Sequence, residues 1–144
     1  MMPNGDLTGL ELLKAIMSGD CSAQNMADTI PMKLDEAKEG FVRFLVKAEQ
    51  RHTNLMGGVH GGFSATVIDT ITGCAVCTVM EAGVSFTTID LNVKMLRPIP
   101  IGKELIAEGK LINRSRRLGI ADGKIIDEDG KLYATGSATC MILN

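Results

Sequence analysis

One periodic segment constrains the fold of this chain more than any other. Phe63, Val67, Ile71, Ala75 and Val79 recur every four residues, with Ile68 and Val76 beside them, until Gly83 ends the run. The pattern predicts a long apolar helix that forms the backbone of the core. After it come four alternating segments, 86–96, 104–114, 117–127 and 131–143, with no further helical period between them. Links as short as Asp127-Glu128-Asp129-Gly130 suit antiparallel hairpins, and a simple meander is the expected topology. In the last three segments one face is small: Ala107 and Gly109, then Gly119, Ala121 and Gly123, then Ala134, Gly136, Ala138 and Cys140. Strands that are small on one face leave room for a thick object, so the sheet is expected to curl around the long helix.

The first part of the chain adds a short helix and a hairpin. Thr8-Gly9-Leu10-Glu11 has capping-box spacing, and Leu10, Leu13, Ile16 and Met17 give an amphipathic helix closed by Gly19. Residues 22–29 are expected to add a helical turn or two before Pro31, and a turn at Glu39-Gly40 introduces the extended run 41–46. The expected architecture is α+β: one domain over residues 1–144, five or six antiparallel strands wrapped on a central helix, with the helical segment 1–30 packed against it.

Composition narrows the functional classes. A net charge of −2 with 22 % charged residues offers no field for nucleic acid or an anionic membrane, and 3 % aromatic residues leave little surface for stacking bases. The start Met1-Met2-Pro3-Asn4 lacks the basic and apolar regions of a signal peptide, and no apolar run is long enough to span a bilayer, so a cytoplasmic protein is expected. Cys21, Cys74, Cys77 and Cys140 are too scattered for a disulfide framework and read as small core residues. Cys74-x-x-Cys77 lies inside the helical pattern rather than at a helix entrance, and His52 and His60 lack a third ligand, so no metal is expected.

Two features of the long helix exceed a structural role. Its entrance, Gly57-Gly58-Val59-His60-Gly61-Gly62, lets backbone approach a ligand and leaves first-turn amides and the helix dipole facing outward, which suits a developing oxyanion. Asp69 lies two turns further on, with Ala65, Thr66, Thr72 and Gly73 as its neighbours on the helix face. Either feature alone is more often a plain turn or a solvated acid. Together they provide what water-mediated acyl transfer needs. Eight residues of helix separate Gly61 from Asp69 by about 12 Å. If both act on one substrate they must come from different subunits, which places the site at a dimer interface. The segment 86–96 fits such an interface as a long edge strand, with Ile89, Leu91, Val93 and Met95 expected on one face and Thr88, Asp90, Asn92 and Lys94 on the other.

The order Asn54-x-x-Gly57-Gly58-Val59-His60-Gly61-Gly62, Asp69, Thr88-x-Asp90-Leu91-x-Val93 and Leu96-Arg97-Pro98 strongly resembles hotdog-fold acyl-CoA thioesterases of the phenylacetic-acid-degradation type, from about Ala27 onward. The resemblance implies a helix wrapped by a sheet, dimers joined edge to edge, and pairing of dimers into tetramers in many relatives. It implies that the Gly61 amide holds the thioester carbonyl while Asp69 of the other subunit activates water or attacks directly. Asn54 and His60 would then position the water and shape the helix entrance, with the Thr88 hydroxyl near the nucleophile. Gly62 and Ser64 would border the substrate. Coenzyme A, as part of the substrate and with no separate cofactor, would lie along Asn113, Arg114, Ser115, Arg116, Arg117 and Leu118, whose arginines suit phosphate. Ser115 stands where many relatives have glycine. Competing readings are a non-catalytic acyl-CoA-binding module, a thioesterase proofreading acyl carrier protein, and hydration or dehydration of an acyl thioester; the last would need a His and acid pair that the helix does not offer.

Overall fold

The computed structural model describes residues 5–20 and 25–143. Cys21 and the start of the 22–29 segment lie outside the described residues. The elements are α1 (Gly9–Ser18), α2 (Met26–Thr29), β1 (Met32–Lys38), β2 (Phe41–Lys47), a 3-10 turn (Gln50–His52), α3 (Gly61–Cys77), β3 (Ser85–Met95), β4 (Glu104–Arg114), β5 (Leu118–Ile126) and β6 (Leu132–Leu143). The six strands form one antiparallel sheet in the order β1-β2-β4-β5-β6-β3, and α3 packs against β2, β3, β4, β5 and β6.

The small-residue faces do what their size requires. Ala107, Ala121, Ala134 and Cys140 are fully buried. At Gly109 a side-chain carbon would lie 2.6 Å from the carbonyl carbon of Ile71, so strand backbone rests on helix backbone. Around this contact Val42, Val46, Val67, Ile68, Ile71, Val76, Leu105 and Ile125 fill an aliphatic core.

α1 forms where the capping box placed it. The Thr8 hydroxyl accepts from Glu11 N–H, the Glu11 carboxylate accepts from Thr8 N–H at 2.8 Å, and Gly19 closes the helix at φ 80°. Leu12 and Leu13 are buried, and Gly9 N–H donates to the Met80 carbonyl at 2.9 Å, so α1 docks beside the end of α3. Hydrogen bonds account for an earlier stop of α3 than the apolar period suggests. It ends at Cys77, not Gly83, because the Thr78 hydroxyl donates to the Ala75 carbonyl while accepting from Gly40 N–H, and short-range bonds from Val79 and Met80 tighten the exit.

Two further expectations are corrected. The strands are not a simple meander: β3 pairs with β6 at the far edge, not with β4. α3 crosses the sheet and releases the chain at the opposite edge, and residues 96–103 carry it back to β2, where Gly102 N–H donates to the Ala48 carbonyl at 2.8 Å. Nor does β3 keep a single alternation. A bulge between Thr88 and Asp90 leaves Ile89 without a cross-strand partner and shifts the phase. Thr88 pairs with Cys140, Leu91 with Ala138 and Val93 with Gly136, so Thr88 shares the helix-facing side with Leu91 and Val93. Ile89 is 53 % exposed.

No helix among the described residues is long and apolar enough to cross a membrane.

Candidate active site on the central helix

The glycine entrance is a stiff structure. Asn54 Oδ1 accepts from Met56 N–H at 2.9 Å and Gly58 N–H at 3.2 Å, and Asn54 N–H donates to the Gly58 carbonyl at 2.7 Å, which closes a turn through Gly57 at φ 87°. The carbonyl end of the Asn54 amide therefore holds the loop. His52 ties the same loop down: its Nδ1 accepts from Glu49 N–H, which leaves the proton on Nε2 to donate to the Thr29 carbonyl at 2.9 Å, and its ring lies 5.7 Å from that of Phe63. His60 is the N-cap of α3; its Nδ1 accepts from Gly62 N–H at 2.8 Å and its carbonyl accepts from Phe63 N–H at 2.9 Å.

This capping decides which amide is left. Gly62 and Phe63 are satisfied by His60, whereas among the described residues Gly61 N–H has no partner. A side chain at Gly61 would bring its first carbon within 2.9 Å of Met95 Sδ, so glycine keeps the approach to this amide open. Beside it lies a groove of about 310 Å³, bordered by His60, Gly61, Ser64, Met95, Arg97 and Ile99. Ser64 is only 3 % exposed.

Asp69 is half-buried in the middle of α3. Its Oδ1 is buried without a hydrogen-bond partner among the described residues. The nearby Thr72 hydroxyl does not serve it, because it donates back to the Ile68 carbonyl at 2.7 Å. An acceptor oxygen buried and unpaired forfeits about 1–3 kcal/mol unless a ligand or second chain completes it. The negative charge is felt by two thiols. Burial first, then Cys77 and Asp69, push the Cys74 thiol up to about 12. Cys140 is raised by burial, opposed by a hydrogen bond with Thr88 and raised again by Asp69. Thr88 Oγ1 lies 3.8 Å from Cys140 Sγ.

The sequence-predicted residues therefore fall into separate groups within one chain. Asn54, His60, Gly61, Gly62 and Ser64 cluster at the α3 entrance; Asp69 and Thr88 belong to the middle of the helix and the strand beside it. Asn113, Arg114, Ser115, Arg116, Arg117 and Leu118 lie at the other end, where both Arg114 Nη2 contacts to the Glu81 carboxylate are 3.0 Å or shorter. There Ser115 and Leu118 close the β4–β5 turn on each other, and Arg116 and Arg117 are exposed. Sequence reasoning passed over Met95 and Cys140, since no periodicity links residue 61 to 95 or residue 69 to 140.

A single long helix lying in an antiparallel sheet of this strand order defines the hotdog fold. The match extends to solved structures: a phenylacetic acid degradation-related protein from Ralstonia eutropha JMP134 superposes with a TM-score of 0.81 at 29 % identity, covering 90 % of this chain and 98 % of that one. Zebrafish thioesterase superfamily member 2 superposes with a TM-score of 0.76 at 28 % identity, covering 94 % and 98 %. The model of the Thioesterase superfamily matches residues 56–134, more than half of the chain, and the chain belongs to that family. Mouse acyl-coenzyme A thioesterase 13 is 33 % identical over 96 residues, 65 % of this chain and 67 % of that protein. The chain is a thioester hydrolase.

Proposed function

We propose that the chain hydrolyses acyl-coenzyme A thioesters at a site completed by two copies of itself. The observation that carries this reading is the unpartnered buried oxygen of Asp69, an acceptor held in readiness on the same helix whose entrance keeps the Gly61 amide free. About 12 Å of helix separates the two, more than one carboxylate side chain spans. Two copies related by a two-fold axis would set the Gly61 amide of one against Asp69 of the other. The open edge of β3 supports this pairing: it is eleven residues long, and Ile89, Leu91 and Met95 are exposed along it.

In the proposed reaction the thioester carbonyl oxygen accepts from Gly61 N–H, and the α3 dipole stabilises negative charge as it develops there. Asp69 takes a proton from water as the water oxygen bonds to the carbonyl carbon; the carbon–sulfur bond then breaks and the coenzyme A sulfur leaves and is protonated. Direct attack by the Asp69 carboxylate, followed by hydrolysis of the anhydride, uses the same geometry. Arg116 and Arg117, exposed and free of the pairing that engages Arg114, are the candidates for the coenzyme A phosphates. The name of the mouse relative and the phenylacetic acid connection of the Ralstonia protein favour an acyl- or aroyl-CoA substrate over an acyl carrier protein.

The test is thiol release from a panel of aromatic and aliphatic acyl-CoAs, with Asp69→Asn run beside the parent. Turnover is expected in the parent, with kcat falling about 10²- to 10⁴-fold in the variant. Undiminished turnover in a folded Asp69→Asn protein refutes the assignment, and coenzyme A binding without turnover on any substrate points to a binding module.

A further inference from the structure

The bulge in β3 and the thiol of Cys140 act on the same hydroxyl. By shifting the strand's phase the bulge brings Thr88 to the helix-facing side, where its cross-strand partner is Cys140. Cys140 has no solvent exposure, and its Sγ lies 3.8 Å from Thr88 Oγ1, a sulfur hydrogen-bond distance. Either atom can donate in such a pair, and the direction matters. If the hydroxyl donates to sulfur, its one proton is removed from the site. If the thiol donates, the hydroxyl proton stays available to water, substrate or carboxylate.

We propose that Cys140 is a positioning residue for the hydrolysis: its S–H donates to Thr88 Oγ1 and leaves the Thr88 proton to be directed at the reacting groups beside Asp69. The inference rests on the thioesterase reading for its consequence but not for its geometry. Two physical arguments favour this direction. The thiol stays protonated, because burial, joined by the Asp69 charge, outweighs the lowering effect of the Thr88 hydrogen bond and raises its pKa above the ordinary thiol value, so the S–H donor exists throughout the neutral range. The neighbouring carboxylate also has an unpaired oxygen, and a hydroxyl turned away from it would present lone pairs to a negative charge. Serine at position 140 would keep a donor; alanine would remove it with little change in volume.

The experiment compares Cys140→Ala and Cys140→Ser, each alone and with Thr88→Val, using the acyl-CoA that the parent hydrolyses fastest and monitoring folding by circular dichroism. Cys140→Ala is expected to lower kcat about threefold to tenfold with KM unchanged, the worth of one neutral hydrogen bond. Cys140→Ser is expected to restore it, and in the Thr88→Val background Cys140→Ala should have no further effect. A second readout needs no turnover. The S–H stretching band of Cys140, assigned as the infrared band lost in Cys140→Ser, should move to higher frequency in Thr88→Val as its acceptor disappears. Equal losses in Cys140→Ala and Cys140→Ser, additive effects with Thr88→Val, or an S–H band unmoved by Thr88→Val would each overturn the proposal. If no acyl-CoA is hydrolysed, the functional reading fails on its own and the infrared band still decides the geometry.

Discussion

Replacing Gly109 by alanine tests the backbone contact between strand and central helix. The added carbon would sit 2.6 Å from the Ile71 carbonyl carbon and closer still to its oxygen, whereas ordinary contacts begin at 3.4 Å, so β4 and α3 must separate locally by more than about 0.8 Å. Both sides of the contact include backbone, and neither can rotate away as a side-chain tip does. Overpacking of this kind costs about 1–3 kcal/mol, and a rigid opposing carbonyl places this case near the upper end, at about 3 kcal/mol. A chain of this length unfolds with an entropy of about 0.3 kcal/mol/K, which turns that loss into a fall in Tm of about 10 °C. Differential scanning calorimetry at fixed protein concentration, supported by urea unfolding, measures it. A Tm within about 2 °C of the parent would show that helix and sheet are not in backbone contact, and the account of the small-residue faces would fail.

Gly73→Ala should have the opposite sign: its new carbon would meet Phe86 at an ordinary 3.6 Å, and removing a glycine from a helix interior should add about 0.5–1 kcal/mol to the unfolding free energy measured in urea. Asp69→Asn is expected to keep or raise the parent Tm while losing turnover, since it removes a half-buried charge whose buried Oδ1 has no hydrogen-bond partner among the described residues; a lower Tm would reveal a structural role for the carboxylate. Asp127→Asn should alter the acid limb of stability. The Lys131 amide first, then the Asp129 amide, Lys103 and Tyr133, hold the Asp127 carboxyl below its ordinary value against the opposing effect of burial. A depressed carboxylate stabilises the fold above its unfolded pKa of about 3.9 and loses that contribution as pH falls through the folded value, so the parent's advantage over the variant should shrink below about pH 4. A gap in Tm that is constant from pH 7 to pH 3 contradicts this.

The sequence by itself determined what repeats or acts locally. The four-residue apolar period placed α3, the Thr8–Glu11 spacing placed the start of α1, and alternating small residues on three strands specified what they would wrap, because each signal lies within one element and reflects its own geometry. Asp69 and Gly61 share a helix, so their separation along it could also be read from residue count. Tertiary structure alone decided the rest. The exit of α3 at the far edge gave β3 to β6, and the bulge at Ile89 turned Thr88 inward against a cysteine 52 residues away. The family resemblance marks Asn54 and Arg114 as site residues, and the structure shows the Asn54 carbonyl oxygen engaged by its own turn and Arg114 by Glu81. Which partner a polar side chain takes, and which edge a strand joins, depend on groups brought together only when distant segments pack, and no period within a segment encodes them.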